Sequence, residues 1–267
     1  MNTIAGSLAA IEAEMADGFP LVAAMFRKNS RRYRAVAEWF MEKAVPKPSD
    51  RILDFGCGHP FMTRILRDQG LSVTAFEPFA SEANEIRTAA RLGLAEGFRT
   101  RLDEGERFEH ILMVDVIEHL AVIAPIMKAV GALAAPGGSL TVSTPNVMRL
   151  DMWLAFVARS TGHPQPLETY LRSEDHFTHH QREFTLAELK RTVRFFGFRP
   201  GPADVVDTRP GAEDLARYHR LLGKPAAQAD GVIARRIKNT VSEALIRNFP
   251  GRFANNLLLT ARRDGDA

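Results

Sequence analysis

The chain has 267 residues, 45% of them apolar and 25% charged, and carries a net charge of +3 at pH 7. These proportions exclude a disordered, collagen-like or disulfide-stapled chain and leave a folded protein with a sizeable core, one large domain or one core with a helical addition. A surplus of three positive charges over this length does not point to nucleic acid. The single cysteine, Cys57, excludes an internal disulfide and a thiolate zinc cluster.

No apolar run reaches the length of about 18 residues that a membrane span needs. The best stretch, Ile111 to Pro136, is interrupted by Asp115, Glu118, His119 and Lys128. Glu12, Glu14 and Asp17 stand where a signal peptide would need its apolar run and cleavage site. The expectation is a cytoplasmic protein, in keeping with its cysteine usage.

Residues 1–48 read as a helical N-terminal segment closed by Pro46 and Pro48. From residue 51 onward, β-rich runs alternate with helical ones, the pattern of a parallel sheet covered on both faces. The strand candidates are Arg51–Phe55, Ser72–Glu77, Phe98–Leu102, Glu109–Val114 and Ser139–Ser143, with helices over Phe61–Asp68, Ala80–Leu92 and His119–Leu133. Pro136-Gly137-Gly138 reads as the turn that starts the fifth strand. Thr185-Leu-Ala-Glu188 is a capping box opening a helix to Phe196, which Gly197 would close in a left-handed conformation. Ala203–Thr208 and Asn255–Arg262 complete a set of seven strands and would pair antiparallel at the sheet edge. The predicted fold is α/β, a doubly wound, mostly parallel sheet with an antiparallel C-terminal edge and N-terminal helices. Residues 49–267 form the main domain, with a lid at 147–182 and a helical insertion at 210–250.

The first strand and its turn read Ile52-Leu-Asp54-Phe-Gly56-Cys-Gly58-His-Pro60-Phe61. Glycines at a strand-to-helix turn let a ligand approach the backbone and put it at a helix N-terminus. Glu77 ends the second strand 19 residues after Gly58, where a carboxylate can accept both hydroxyls of a ribose. The combination points to an adenosine-type cofactor. A nicotinamide site wants a third glycine where Phe61 stands, which weakens the dehydrogenase alternative. Asp54 has no role against a pyrophosphate but suits a cationic group such as an amine.

These residues resemble motif I of the class I S-adenosylmethionine-dependent methyltransferases. The resemblance runs along most of residues 50–200 and implies a Rossmann-like fold. It further implies that Asp54, Gly56 and Gly58 hold the methionine portion, that Glu77 with Pro78 meets the ribose, and that Asp115 and Val116 line the far side. Pro60 departs from the family pattern, standing where a third glycine is usual, and implies a shifted loop.

Asp115, Glu118 and His119 are spaced i, i+3 and i+4 and would share one face of a helix starting near Asp115, at the carboxyl ends of the strands. Two carboxylates and an imidazole suit Mg²⁺ or Mn²⁺. A similar segment occurs in ubiquinone-pathway O-methyltransferases and in small-RNA terminal 2′-O-methyltransferases. The latter resemblance makes His180, in His180-Gln-Arg-Glu-Phe-Thr185, the candidate fourth ligand, with His176 and His179 as alternatives. Three readings stay open at this point: a divalent ion on Asp115, Glu118, His119 and His180; a metal-free general base at His119 or His180; or a structural role only.

The segment Met148 to His180 is too long for a simple connection and would cover the acceptor, although Asp151–Arg159 could equally be a packed core helix. Five basic residues between Arg27 and Arg34, and ten basic against six acidic residues over 210–267, could meet a phosphate-bearing acceptor or form solvated faces. Ile233, Ile237, Val241 and Leu245 recur at steps of four, a core or homodimer contact rather than a membrane face. The function expected is methyl transfer from S-adenosylmethionine to a hydroxyl of a small-molecule or glycan-like acceptor, with S-adenosylhomocysteine as product. The rivals are a nicotinamide-dependent dehydrogenase and a methyltransferase-like module that binds without catalysis.

Overall fold

In the computed structural model, the described residues are 2–159, 180–223, 243–249 and 253–265. They build a seven-stranded sheet in the order β3-β2-β1-β4-β5-β7-β6, where β1 is Arg51–Phe55, β2 Ser72–Phe76, β3 Phe98–Arg99, β4 Phe108–Val114, β5 Ala134–Pro145, β6 Phe198–Val206 and β7 Asn256–Arg263. The first five strands run parallel, and β7 lies antiparallel between β5 and β6. The expected mixed sheet is therefore present. The antiparallel strand is inserted one place inside the edge, and β6, with Pro200 and Pro202, takes the edge itself. Proline cannot donate to a ladder, so an edge is where a strand can carry it.

Two helices precede the sheet, α1 (Ile4–Ala16) and α2 (Pro20–Lys43). The Thr3 hydroxyl caps α1 by accepting the Gly6 amide at 3.1 Å, and Pro20 opens α2 where its missing N–H costs nothing. Both pack with α3 (Phe61–Asp68) on one face of the sheet. There Ile11, Met15, Phe26, Phe40, Phe61, Ile65 and Leu66 are fully buried, and the Phe26 and Phe61 rings lie 4.7 Å apart. The other face buries Met127 and Val130 of α5 (Ile123–Leu133) with Leu189 and Val193 of α7 (Leu186–Phe195) against Leu140, Val142, Leu257 and Leu259. Between them in the chain lie α4 (Arg87–Arg91) and α6 (Leu150–Arg159), and α8 (Ala212–Leu221) packs on α2.

Three local expectations are corrected. The helix expected over Ala80–Leu92 is a π-helical turn, Glu82–Ile86, continued by the short α4, with the Ser81 amide and hydroxyl held by Glu85 at 2.9 and 3.0 Å. The helix expected from His119 begins only at Ile123; Ile117–His119 is a separate 3-10 turn. Pro125 explains the break, because it is tolerated in the first turn of a helix from Ile123 but would disrupt the interior of one from His119. Pro136-Gly137-Gly138 does not precede the fifth strand but forms an irregularity inside β5, which shifts register between Phe108↔Ala134 and His110↔Ser139.

The capping box is as expected, with the Thr185 hydroxyl accepting the Glu188 amide at 3.2 Å and the Glu188 carboxylate accepting the Thr185 amide at 2.9 Å. Gly197 follows α7 at φ +81°. Among the described residues no helix is long and apolar enough to cross a membrane. The middle of the expected lid, including His176 and His179, and the Ile233–Val241 ladder of the expected insertion lie outside the described residues.

Candidate active site

The carboxyl ends of β1, β2 and β4 open onto a cavity of about 470 Å³. After β1 the chain turns through Gly56 (φ +69°) and Gly58 (φ +50°), conformations that side-chain-bearing residues adopt only with strain. The Gly56 and Cys57 amides donate to the Phe76 carbonyl at 2.8 and 3.1 Å, which fastens the turn to the end of β2. Gly56 also faces Val116: a Cβ there would lie 2.9 Å from the valine Cγ2. The turn is thus fitted between β2 and the segment after β4, and only glycine passes at its first position.

Glu77 follows β2 and accepts the Gly58 amide at 3.0 Å and the Phe79 amide at 3.2 Å, so its carboxylate borders both the glycine turn and the cavity. Pro78, Phe79, Ser81 and Glu85 continue this wall. Of the residues singled out in the sequence, the cavity brings together Gly56, Gly58, Glu77, Pro78, Asp115, Val116 and His119.

Asp54 is not among the lining residues. It is 1% exposed beneath the turn, where its Oδ2 accepts the Thr63 amide at 3.1 Å and the Thr63 hydroxyl at 2.7 Å. It therefore acts as a remote cap for α3, satisfying an amide of the first turn that the helix itself cannot. Burial raises its pKa to about 6 against the lowering effect of the two Thr63 bonds. Burial also pushes the Cys57 thiol well above its ordinary value, with Asp54 and Glu77 acting in the same direction, which disfavours the thiolate.

The segment after β4 does not present one helical face. Asp115 takes φ +55°, and its amide donates to the Ser143 carbonyl at 2.9 Å. Its carboxylate is paired with Arg32 of α2 and accepts the Ser143 hydroxyl at 3.3 Å. Asp115 is accordingly absent from the cluster of potential metal ligands, which consists of Glu118, His119 and His180, with donor atoms all within 4.8 Å of one another. Of the four residues considered as ligands, Glu118 and His119 from spacing and His180 from the resemblance are the three that lie together.

Glu118 is fully buried. Its Oε2 accepts the Thr144 hydroxyl at 2.8 Å, whereas its Oε1 is buried with no hydrogen-bond partner. Burial first, and then the charge of Asp115, pushes the Glu118 carboxyl well above its ordinary pKa. The Glu118 carbonyl accepts the amides of Gln181 (2.6 Å) and Arg182 (3.2 Å), and this tether brings His180 across the site. The His119 and His180 rings meet edge to face at 4.9 Å.

Sequence reasoning missed Arg32, Thr63, Glu85, Arg149 and Glu183. The Glu183 carboxylate binds His180 Nδ1 through Oε1 at 2.7 Å and receives Arg149 on Oε2. A histidine and a glutamate three residues apart carried a signal for that pair. The Arg32–Asp115 pair spans 83 residues of chain and left none.

A glycine turn after β1, an acidic residue after β2 and an antiparallel β7 between β5 and β6 define a class I S-adenosylmethionine-dependent methyltransferase. Residues 24–200 match the family described as a methyltransferase domain, and the chain belongs to that family. It is 31% identical over 192 residues to a ubiquinone biosynthesis O-methyltransferase of Azorhizobium caulinodans, covering 66% of this chain and 72% of the relative. To the Xylella fastidiosa enzyme of the same name it is 31% identical over 170 residues, 59% of this chain and 64% of the relative. Among solved structures, the fold resembles that of the Burkholderia thailandensis 1,6-didemethyltoxoflavin-N1-methyltransferase, solved with 1,6-didemethyltoxoflavin and S-adenosylhomocysteine. The TM-score is 0.55 at 17% identity, over 99% of this chain and 92% of that one. The chain is a methyltransferase, which answers the nicotinamide alternative.

Proposed function

We propose that this methyltransferase transfers the methyl group to a hydroxyl oxygen of a small-molecule or glycan-like acceptor. The observation that carries the reading is the continuity of the cavity wall from Gly56, Gly58 and Glu77 to His119, with Glu118 and His180 gathered behind it. The names of the 31%-identical relatives support oxygen as the atom methylated. In this reading residues 49–267 are the catalytic domain, 1–48 a helical cap, 147–182 a lid over the acceptor and 210–250 a helical insertion.

Gly56 and Gly58 receive the methionine portion and Glu77 with Pro78 the ribose, while Asp115 and Val116 close the opposite wall. Asp54 acts from below by holding the turn. Methyl transfer proceeds in line from a cationic sulfur, so the acceptor oxygen must shed its proton as it attacks. An imidazole with a bare nitrogen, His119 or His180, can take that proton. Holding acceptor and donor in one cavity contributes further by removing the entropic cost of their encounter.

The cluster also fits a divalent cation. Glu118 Oε1 is a buried oxygen without a partner, and two imidazoles lie within reach of it. Glu118, His119 and His180 would hold Mg²⁺ or Mn²⁺ and leave positions open. When bound, such an ion lowers the pKa of a chelated hydroxyl and fixes a vicinal diol. Asp115 is paired with Arg32 and lies outside this cluster.

The test is methyl transfer from S-adenosylmethionine to a panel of catechols, vicinal diols and sugars, with and without a chelator. Turnover on one of these that collapses in His119→Ala supports the reading; full turnover in that variant overturns the role of the cluster. Loss of turnover with chelator, restored by Mg²⁺ or Mn²⁺ in the wild type but not in Glu118→Gln, assigns the ion. Unchanged turnover in chelator assigns the proton transfer to histidine alone.

A further inference from the structure

The two histidines differ in what lies behind them. His180 sits on a loop pinned at several points: its neighbours Gln181 and Arg182 donate to the Glu118 carbonyl, and the Val147 amide donates to the Phe184 carbonyl at 3.0 Å. Three residues on stands Glu183, whose side chain is completely buried. One oxygen of Glu183 meets His180 Nδ1 at 2.7 Å, and the other is gripped by Arg149. Arg149 also donates to the Asn146 carbonyl at 3.2 Å, and the Asn146 amide donates to the Asn255 carbonyl at 2.9 Å. Arg149 and Glu183 are thereby fixed to the ends of β5 and β7, outside the cavity.

We propose that Glu183, held by Arg149, is a positioning residue for His180, accepting its Nδ1–H and leaving Nε2 as the bare nitrogen presented to Glu118 and His119. An ionised carboxylate can only accept, so the nitrogen facing it must carry the proton. In a neutral ring the other nitrogen is then the one with a lone pair. Both oxygens of Glu183 are engaged, one with His180 Nδ1 and the other with the Arg149 guanidinium, an arrangement that suits a carboxylate accepting on each side. The ring is also fixed in orientation, because rotating it would break a short bond to a carboxylate that cannot follow. This is the carboxylate–histidine arrangement that sets tautomer and direction in proton-transfer and ligand-holding sites alike.

The inference rests on the proposed role of His180 in acceptor chemistry, yet the tautomer can be read without any acceptor. In the full-length chain with ¹⁵N-labelled histidine and bound S-adenosylhomocysteine, long-range proton–nitrogen correlations should show His180 protonated at Nδ1 and bare at Nε2. Glu183→Ala should return the ring to the Nε2-protonated form favoured in water. Catechol turnover should fall about 10- to 100-fold through kcat, with affinity for S-adenosylhomocysteine unchanged. Glu183→Gln has one acceptor oxygen where the carboxylate uses two; Arg149, which can only donate, takes that oxygen and turns the amide NH2 toward Nδ1, so this near-isosteric variant should keep the fold yet also switch the ring to the Nε2-protonated form and lose rate as the alanine variant does. A wild-type ring protonated at Nε2, or a ring whose tautomer ignores both substitutions, overturns the inference. A tautomer that switches while catechol turnover stays constant upholds the positioning of His180 and instead overturns its role in transfer.

Discussion

The two halves of the cavity are built in different ways. The half proposed for the cofactor is made largely of backbone: two glycines at positive φ, amides fastened to Phe76, and the Glu77 carboxylate bonded to the Gly58 amide. The half proposed to take the acceptor has His119 on its wall and, gathered behind it, side chains from separate segments: Glu118 on the same 3-10 turn, Thr144 on β5, and His180 on a loop tied to the Glu118 carbonyl. A backbone site is specified by a short local motif and tolerates little change of shape. A side-chain site keeps its scaffold while individual groups vary, so binding and chemistry should be separable by mutation.

The sharpest break is expected on the acceptor side. Removing the imidazole in His119→Ala should cut methyl transfer about 100- to 10,000-fold, the range for loss of a general acid or base, and leave S-adenosylhomocysteine affinity within a few-fold of wild type. Single-turnover rates and calorimetry on the same preparation separate the two quantities.

Gly56→Ala attacks the other half. A Cβ 2.9 Å from Val116 Cγ2, in a residue at φ +69°, combines a clash with left-handed strain, together about 2–4 kcal/mol. That cost should divide between lower stability and weaker S-adenosylhomocysteine binding, seen in urea melts with and without ligand. Equal binding by this variant would show that the turn yields more readily than its geometry indicates.

Asp54 gives a smaller, pH-dependent effect. Its carboxyl ionises at about 6 in the folded chain and near 4 when unfolded, so between these values the folded state binds the additional proton. Stability from this group is present below about pH 4 and is lost as pH rises through 6, by up to about 3 kcal/mol. Asp54→Asn, which can still accept from Thr63, should match wild type at pH 4 and exceed its stability by about 1–3 kcal/mol above pH 6. Urea melts between pH 4 and 8 check the sign. The smallest effect lies outside both halves: Thr185→Ala removes the α7 cap and should cost about 1 kcal/mol without altering S-adenosylhomocysteine affinity.

The same contrast explains what was legible in the sequence. The strand–glycine–helix unit, Glu77, the capping box and the pairing of the last two strands are local patterns with direct physical meaning, and each was readable. The segment from Asp115 to Val122 was not, because its apolar spacing runs unbroken into α5 and hides a left-handed residue and a 3-10 turn. Pro125 was the one available sign that the helix starts late. The acidity and position of Asp54 are legible in its strand, but its bonds to Thr63 are not, since nothing in that strand announces Thr63. Arg32 and Arg149 act across 83 and 34 residues of chain, and such pairings are fixed by packing rather than by any local pattern.

The central claim is that one cavity joins a backbone-built cofactor half to a side-chain acceptor half. Its most direct test is calorimetric titration of S-adenosylhomocysteine into metal-stripped wild type, Gly56→Ala and His119→Ala. Micromolar binding by the wild type and His119→Ala, with marked weakening in Gly56→Ala, is the expected result. Absence of binding to the wild type, or equal losses in both variants, would contradict the account.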